Sequence, residues 1–311
     1  MKEWRVNSSD GVHSLRVLSW IPEGQIKAVV QISHGMIEHM ERYDEFAEFL
    51  CKEGYLVVGN DHLGHGGSVA REEELGYFAK EGKSEVLVRD LHLITRRMKE
   101  EYPGVPYILL GHSMGSFLAR RYCMTYGEEL DGVIILGTGT QPVPVLAFGK
   151  FVAGITKLLR GDEYRSNFIK YSAFGSYLSH IKNPKTASDW LSRDEERVKQ
   201  YRADKLCRFD FTVNGYAVLF DVISFIQKGK NIQKIPKNLP ILILSGEEDP
   251  VGAYGKGPRK VYQSYRKAGL KVQLKMYPED RHELLHELDR KEVFQEILAF
   301  LSKLPDTDLH G

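Results

Sequence analysis

Short apolar stretches rich in β-branched residues alternate with longer stretches of helical period over much of the chain. Residues 28–32 form one apolar stretch, and Tyr43, Phe46, Ala47 and Leu50 follow it at the spacing of one helical face. The same patterns predict strands at residues 28–32, 55–59, 107–110, 132–136, 240–244 and 272–277, and helices at 85–101, 114–126, about 262–265 and about 283–301. Such alternation predicts an α/β protein with a mostly parallel, doubly wound sheet.

The alternation is interrupted between residues 141 and 235, where the chain shows helices and turns with a modest enrichment of aromatic residues. We interpret this stretch as a helical cap inserted over the carboxyl ends of the strands, where open α/β sheets bind their ligands. The expected organisation is an α/β core of residues 1–140 and 236–311 with a cap, or lid, of residues 141–235.

One segment of the predicted cap, residues 145–159, is apolar except for Lys150 and Lys157. These lysines are seven residues apart and therefore share one face of a helix. We expect an ordinary buried cap helix here. The alternative is a surface that contacts lipid or lines an acyl pocket.

Composition and charge exclude several classes of protein. The 311 residues carry 43 Lys and Arg against 42 Asp and Glu, a formal net charge of +1, so nucleic acid is not an expected partner. The three cysteines are widely spaced and suit neither a disulfide framework nor paired zinc ligands, which is typical of a reducing compartment. Because the N-terminus has no apolar signal region and no apolar run is long enough to span a bilayer, we expect a cytoplasmic protein.

A candidate nucleophile lies between a predicted strand and a predicted helix. Residues 111–115 are Gly-His-Ser-Met-Gly, which matches G-x-S-x-G. A strand that turns sharply into a helix holds its serine in a strained conformation, and glycines on both sides prevent collisions with neighbouring backbone. We therefore expect Ser113 to project at the edge of the sheet as a nucleophile.

A serine hydroxyl is a weak nucleophile and needs a general base and an orienting acid. Asp249 follows one late strand of the predicted sheet, and we choose it over Glu247 and Glu248, which we expect to face water. His282 follows the next strand. In this interpretation His282 accepts the proton of Ser113 while Asp249 fixes the tautomer of the imidazole.

An oxyanion hole needs two backbone N–H groups, one of them from the residue after the nucleophile. Met114 supplies that amide, and Met36, in a loop after the first predicted strand, is the expected second donor. Gly35 lets the backbone approach the substrate, and His34 is expected to brace the loop through a hydrogen bond. We expect neither a metal nor a cofactor.

A second motif favours a different class of enzyme. Residues 282–286 are His-Glu-Leu-Leu-His, which matches the zinc signature H-E-x-x-H of metallopeptidases. A catalytic zinc needs a third protein ligand, and the residues that follow lack the extended form of the motif. Asp280 followed by Glu283 also resembles a capping box, which would place Glu283 in the first turn of a helix. A zinc peptidase remains an alternative function.

Together these motifs resemble the monoacylglycerol lipase and lysophospholipase group of α/β-hydrolases, often called serine aminopeptidase-like. The resemblance covers residues 10–140 and 240–302. It rests on His-Gly-Met-Ile-Glu-His-Met-Glu-Arg-Tyr at 34–43, Asn-Asp-His-Leu-Gly-His-Gly-Gly-Ser at 60–68, the serine motif, Gly-Glu-Glu-Asp-Pro-Val at 246–251 and His-Glu-Leu-Leu at 282–285.

The resemblance implies the α/β-hydrolase fold with a helical cap, and the same triad and oxyanion donors as above. It also implies that Glu38, His39 and Arg42 form a polar cluster that supports the oxyanion loop. By residue type alone, these three could equally be the solvated start of a helix.

The sequence departs from the pattern of this family at two positions. Ile37 and Ser116 each stand where the family has glycine. The favoured function is a serine hydrolase that cleaves carboxylic esters, monoacylglycerols or lysophospholipids above all, through an acyl-enzyme on Ser113. The two departures motivate a further alternative, a catalytically silent binding protein with the hydrolase fold. The expected partners are a small lipid or ester substrate and, transiently through the cap, a lipid surface.

Overall fold

In the computed structural model of the protein, which describes residues 1–80 and 83–304, eight strands form one sheet. The strands are β1 (Lys2–Asn7), β2 (Ser14–Trp20), β3 (Ala28–Ser33), β4 (Tyr55–Asn60), β5 (Tyr107–His112), β6 (Gly132–Leu136), β7 (Ile241–Gly246) and β8 (Val272–Tyr277). Their order across the sheet is β1-β2-β4-β3-β5-β6-β7-β8. β2 pairs antiparallel with both β1 and β4, and every other neighbouring pair is parallel. The predicted fold class is confirmed.

Helices cover both faces of the sheet. The described residues form α1 (Asp44–Lys52), α2 (Glu85–Glu101), α3 (Met114–Tyr126), α4 (Val143–Arg160), α5 (Asn167–Phe174), α6 (Glu195–Ala203), α7 (Val213–Ile226), α8 (Gly229–Ile232), α9 (Lys256–Lys267) and α10 (Arg290–Leu301). The apolar faces of α1 and α10 join one hydrophobic core, and those of α2, α3 and α9 join the other. Strands covered on both faces are buried along their whole length, which is why β3 to β7 are continuous apolar runs rather than alternating ones.

The structure differs from the sequence prediction in two places, the hairpin of β1 and β2 and the start of the last helix. The antiparallel hairpin of β1 and β2 was not predicted, because β1 is an edge strand whose residues are mostly exposed. The last helix begins at Arg290, seven residues later than predicted. Residues 284–286 form only a short 3₁₀ turn, so residues 278–289 are a loop that we call the His282 loop.

The five helices α4 to α8 lie between β6 and β7 along the chain. Side-chain caps begin three of them: Ser166 for α5, Asp194 for α6 and Thr212 for α7. The division into a core of residues 1–140 and 236–311 and a cap of residues 141–235 stays a prediction. Residues 305–311 of that core lie outside the described residues.

Candidate active site

Ser113 is the single residue between the end of β5 and the start of α3. Its backbone has φ 52° and ψ −119°, in the left-handed half of conformational space that side-chain-bearing residues rarely adopt. The two flanking glycines are sterically required, because a Cβ at Gly111 would collide with the carbonyl of Gly115, and one at Gly115 with the carbonyl of Ser33. The strained turn leaves the Ser113 side chain half-buried at the carboxyl edge of the sheet.

The carboxyl ends of β7 and β8 bring Asp249 and His282 together. Asp249 Oδ2 lies 3.0 Å from His282 Nδ1, and both side chains are buried. Neither atom has a hydrogen bond to a described residue, so this close approach is the polar contact that each of them makes. The other carboxylate oxygen, Oδ1, accepts a hydrogen bond of 2.8 Å from the Val251 amide. The backbone turns at Gly137, with φ 56°, where an added Cβ would lie 3.1 Å from Cε1 of His282.

The loop after β3 lies directly beside Ser113. A Cβ on Gly35 would lie 3.0 Å from Cβ of Ser113, so only glycine lets the two segments approach this closely. Met114 directly follows the serine, and Met36 lines the same cavity as Ser113; in residues 1–80 and 83–304 neither amide has a hydrogen-bond acceptor. Two free N–H groups beside a nucleophile are the arrangement that an oxyanion needs.

His34 bridges two loops. Its Nδ1 donates to the carbonyl of Gly35 (2.7 Å), and its Nε2 accepts from the amide of His62 (2.9 Å). Burial, with His62 and His65 nearby, keeps the pKa of His34 well below its usual value. The imidazole is therefore neutral, which leaves Nε2 free to accept.

Glu38 is buried at the centre of a hydrogen-bond network. It accepts hydrogen bonds from Tyr43 (2.9 Å), Arg42 (2.8 Å) and His112 Nδ1 (2.9 Å), and from the amide of Gly35. Burial alone would raise the pKa of Glu38, but His112 and Arg42 outweigh it and hold this pKa well below the usual value. Glu38 is therefore a carboxylate that anchors the loop after β3.

The same network reaches the His282 loop. Arg42 makes two hydrogen bonds of 2.7 Å to Glu283, and Nε2 of His112 lies 3.3 Å from the carbonyl of His282. Burial would lower the pKa of His112, but the Glu38 carboxylate raises it above the usual value, which favours the doubly protonated ring. His39 points elsewhere, since its Nε2 binds Asp204 at 2.7 Å.

The H-E-x-x-H residues do not form a zinc site. His282 faces Asp249, whereas Nε2 of His286 donates to the carbonyl of Arg42 (2.9 Å), because residues 282–286 are not helical. The capping-box prediction is also wrong, since Glu283 is held by Arg42 and its amide donates to Leu191 (2.7 Å).

Two groups in the described part of the chain hold potential metal ligands within 4.8 Å of one another, one of them His39, Asp204 and Cys207, and the other Asp280, Glu287 and Asp289. The first already contains a His39–Asp204 hydrogen bond, and the second already surrounds the guanidinium of Arg193. Neither group includes Ser113 or His282.

Two cavities adjoin the site. The first, of about 450 Å³, is lined by Ser113, His282, Met36 and His112 and by polar residues from the insert, among them Lys170 and Asp210, which pair at 2.6 Å. The second, of about 330 Å³, has an almost entirely apolar lining from α4, α5 and α7. Phe174 lines both cavities.

A family model described as serine aminopeptidase, S33, matches residues 24–289. The chain belongs to this family of α/β-hydrolases. It is 32% identical to a monoglyceride lipase homolog of Monkeypox virus over 91% of this chain and 92% of that protein. It is 30% identical to the monoglyceride lipase of Rattus norvegicus over 87% of this chain and 84% of that protein. The crystal structure of a highly thermostable carboxyl esterase from Bacillus coagulans, in complex with glycerol, superposes with a TM-score of 0.92 at 28% identity and covers 97% of this chain and 98% of that one. The resemblance stated from the sequence is confirmed.

The two departures from the S33 family pattern have different consequences. Ile37 has φ 57°, a left-handed conformation that glycine adopts freely and a β-branched residue adopts only under strain. Its amide is held by Nε2 of His65 at 3.3 Å. Ser116 is buried in the first turn of α3, and its hydroxyl donates to the carbonyl of Ser113 (2.6 Å).

Helix α4 contradicts the expectation of a buried cap helix. Of its apolar side chains, only Leu146 and Ala153 are buried. Seven others are exposed or largely exposed: Val143, Val145, Phe148, Phe151, Ile155, Leu158 and Leu159. The alternative interpretation fits better, because the same helix also lines the apolar cavity. In the described residues, no helix is both long and apolar enough to cross a bilayer.

Sequence reasoning missed three residues around the site of this S33 hydrolase: His112, Trp190 and Arg193. His112 had a signal, since it is the second residue of the serine motif. Trp190 and Arg193 had none, because they lie in the insert about 90 residues before the loop that they contact. Only the fold brings these segments together.

Proposed function

We propose that this protein is a monoacylglycerol lipase that works through an acyl-enzyme on Ser113. The chain is a carboxylic ester hydrolase, as the favoured interpretation of its sequence expected. The observation that carries the mechanism is that Ser113, in its strained turn, lines one cavity together with His282 and Met36. The zinc peptidase is not retained, because Glu283 and His286 are bound elsewhere.

In the first half-reaction, the Ser113 hydroxyl attacks the ester carbonyl as His282 Nε2 takes its proton. Asp249, at 3.0 Å from Nδ1, stabilises the imidazolium. The amides of Met36 and Met114 donate to the oxyanion of the tetrahedral intermediate. The intermediate collapses when His282 returns the proton to the departing glycerol oxygen, which leaves the acyl group esterified to Ser113.

In the second half-reaction, water takes the place of glycerol. His282 removes a proton from the water as it attacks the acyl carbonyl, and a second oxyanion forms at the same two amides. Collapse of this intermediate breaks the bond to Ser113 Oγ, which regains its proton from His282. The products are a fatty acid, glycerol and the unchanged enzyme.

The two cavities support the choice of substrate. An acyl chain fits the apolar cavity between α4, α5 and α7, and a glycerol group fits the more polar cavity around Ser113. The names of the relatives point the same way, and the Bacillus coagulans esterase was crystallised with glycerol. Both cations in the described lining of this cavity already have partners, since Lys170 pairs with Asp210 and Arg208 donates to the backbone carbonyls of Arg202 and Ala203. We therefore favour glycerol esters over lysophospholipids.

We further propose that the exposed apolar side chains of α4 contact a lipid surface, from which the substrate enters. Phe168 and Tyr171 on α5 are also exposed. A contiguous apolar surface of this kind is typical of membrane or partner contact. A cytoplasmic location and the absence of a nucleic-acid partner stay predictions.

The test compares Ser113→Ala with Ser264→Ala, a control on the exposed face of α9. Hydrolysis of monoolein and of p-nitrophenyl butyrate should fall by about 10⁴-fold or more in Ser113→Ala and stay unchanged in the control. A fluorophosphonate probe should label the wild type and the control but not Ser113→Ala. Full activity of Ser113→Ala would refute the mechanism, and an unlabelled, inactive wild type would establish the silent binding protein instead.

The substrate is tested separately with a chain-length series of monoacylglycerols and lysophosphatidylcholines. Glycerol esters should be hydrolysed with the higher kcat/KM at every chain length. The reverse order would assign the protein to the lysophospholipases without changing the roles of Ser113, Asp249 and His282.

A further inference from the structure

The segment of residues 189–193, between α5 and α6, is bound to the His282 loop through backbone groups. The amide of Glu283 donates to the carbonyl of Leu191 at 2.7 Å. The side chain of Arg281 donates to the carbonyls of Asp189 (2.6 Å) and Ser192 (3.0 Å). The residues immediately before and after His282 are therefore both attached to this segment.

Arg193 adds a fork of charged hydrogen bonds. Its Nε donates to Glu287 at 3.1 Å, and Nη2 donates to Asp289 at 3.0 Å and to Asp280. Glu287 in turn accepts hydrogen bonds of 3.0 Å from the amides of both Arg193 and Arg281. The guanidinium thus joins both ends of the His282 loop, which has no regular structure except one short 3₁₀ turn.

The hydrogen bonds of Arg193 matter because two of the carboxylates that accept them are buried. Asp280 and Glu287 are almost fully removed from solvent. Without Arg193, the buried carboxylate of Glu287 would lose its cationic partner, and the hydrogen bonds that join Asp280 to Glu287 and Asp289 through the guanidinium would be lost. We expect the loop to move in response, since it has no sheet or helix to hold it.

The inner side of the same segment contacts the histidine itself. The ring of Trp190 lies 5.2 Å from the ring of His282, centroid to centroid. A shift of the 189–193 segment would therefore be passed to the imidazole by direct contact as well as through Asp280 and Arg281.

We propose that Arg193 is a positioning residue for the general base, and that it holds His282 in register with Ser113 by clamping the His282 loop to the insert. The proposal rests on the proposed function, in which His282 is that base. Arg193 touches neither Ser113 nor the apolar cavity, so it acts on the rate of the chemical step rather than on substrate binding.

The insert offers a matched control in Arg197. Arg197, on α6, pairs with Glu45 of α1, and it is 24% exposed where Arg193 is 19% exposed. It therefore also joins the insert to the rest of the molecule through an ion pair, formed by an arginine of similar exposure with the more exposed Glu45. It makes no hydrogen bond or ion pair with the His282 loop in the described part of the chain.

The experiment measures kcat, KM and thermal stability of Arg193→Ala, Arg193→Lys and Arg197→Ala with p-nitrophenyl butyrate. Displacement of a catalytic group by about 1 Å costs about 100-fold, so kcat of Arg193→Ala should fall by about 10-fold to 100-fold while KM stays within about twofold. Arg197→Ala should keep kcat within about twofold, since a partly exposed ion pair contributes little. Arg193→Lys should fall between these two, because an ammonium cannot reproduce the fork.

Chemical rescue adds a readout that a purely structural role would not move. Free guanidinium, at concentrations far below those that unfold proteins, should restore part of kcat to Arg193→Ala and none to Arg197→Ala. If Arg193→Ala does not fold, Arg193→Lys carries the same test through its kcat. Equal kcat in Arg193→Ala and Arg197→Ala, or loss through KM alone, would overturn the proposal. Failure of the proposed function looks different, since Ser113→Ala would then be as active as the wild type.

Discussion

Two parts of the insert between β6 and β7 meet the rest of the protein in opposite ways. Helices α4 and α5 present apolar side chains both to solvent and to the 330 Å³ cavity, with the Lys170–Asp210 pair at the neighbouring cavity. Residues 189–204 instead attach to the core through Arg193, Arg197 and His39–Asp204, all of them polar contacts. The first part contacts its surroundings mainly through apolar side chains, and the second mainly through hydrogen bonds and ion pairs.

Under the proposed function, the difference separates two tasks of one inserted segment. Apolar contacts are non-directional and tolerate a range of acyl chains, which suits the wall of a substrate pocket. Charged hydrogen bonds fix distance and angle, which suits the support of a catalytic side chain. The two parts should therefore respond differently to substitution.

The largest effect is expected at Glu287, which binds Arg193 in the polar part of the insert. Glu287→Ala leaves Arg193 and the amide of Arg281 without their shared partner, and loss of one member of a buried pair costs about 3 kcal/mol. Glu279 is the control, since it binds the same guanidinium but is 82% exposed, against 0% for Glu287. Urea unfolding of both alanine variants measures the difference. Equal loss of stability in the two variants would contradict the expectation that the buried carboxylate of Glu287 stabilises the protein more than the exposed one of Glu279.

The next effect is expected on the apolar side. Ala173 lines the apolar cavity and Ala187 lines the cavity of Ser113, so the substitution of each by phenylalanine fills one cavity at a time. Ala173→Phe should lower kcat/KM for long-chain monoacylglycerols by about 10-fold to 100-fold and leave the butyrate ester almost unchanged. Ala187→Phe should slow both substrates alike. A uniform loss in Ala173→Phe would place the acyl chain elsewhere.

A smaller effect concerns pH. Burial and the carboxylates of Glu287 and Asp289 raise the pKa of Asp280 to about 8, although the guanidinium of Arg193 acts to lower it. The hydroxyl of Tyr277 is a further titratable group close to Asp280. Between about pH 4 and pH 8 the folded protein then keeps a proton on Asp280 that the unfolded chain has lost. The free energy of unfolding therefore falls as pH rises, by up to about 1.4 kcal/mol per pH unit. Above about pH 8 it levels off, because Asp280 is then ionised in both states. Asp280→Asn should lose this contribution. Parallel pH–stability curves for the two proteins would contradict it.

The smallest effect on the enzyme in solution is expected from the outer face of α4. Phe151 and Leu158 are seven residues apart and exposed, so their replacement by serine should change the free energy of unfolding by no more than about 0.5 kcal/mol and leave butyrate hydrolysis intact. Sedimentation with lipid vesicles should show severalfold weaker binding. Val12→Ser, at an exposed apolar residue outside the insert, should bind vesicles as the wild type does. Unchanged binding of the double variant would exclude this face as the contact.

The sequence predicted the parts of the protein that follow from local pattern. The strands that become β3 to β7 were apolar runs, and β8 alternates apolar and polar residues. The serine motif marks Ser113 because a sharp turn between strand and helix requires glycine on both sides. Asp249 and His282 could be chosen because the ends of parallel strands meet at one edge. These inferences need no knowledge of distant contacts.

The errors arise where distant residues decide the structure. Residues 283–289 have a helical pattern, yet Arg42 and Leu191 hold Glu283 in a conformation that no helix allows. Helix α4 was expected to be buried because it is apolar on most sides, and pattern alone does not reveal that no described segment covers its outer face. The fork of Arg193 joins residues 86 to 96 positions apart and leaves no trace in local spacing.

The bonds from Arg281 and Glu283 to carbonyl groups of the insert also bear on how such proteins can be recombined. Under the proposed function, a chimaera that takes residues 141–235 from a relative would import the substrate pocket of that relative. It would also place a foreign chain against the His282 loop. Such a hybrid would bind its new ester and turn it over slowly. The unit to exchange is the insert together with residues 278–289, although these two pieces are far apart along the chain.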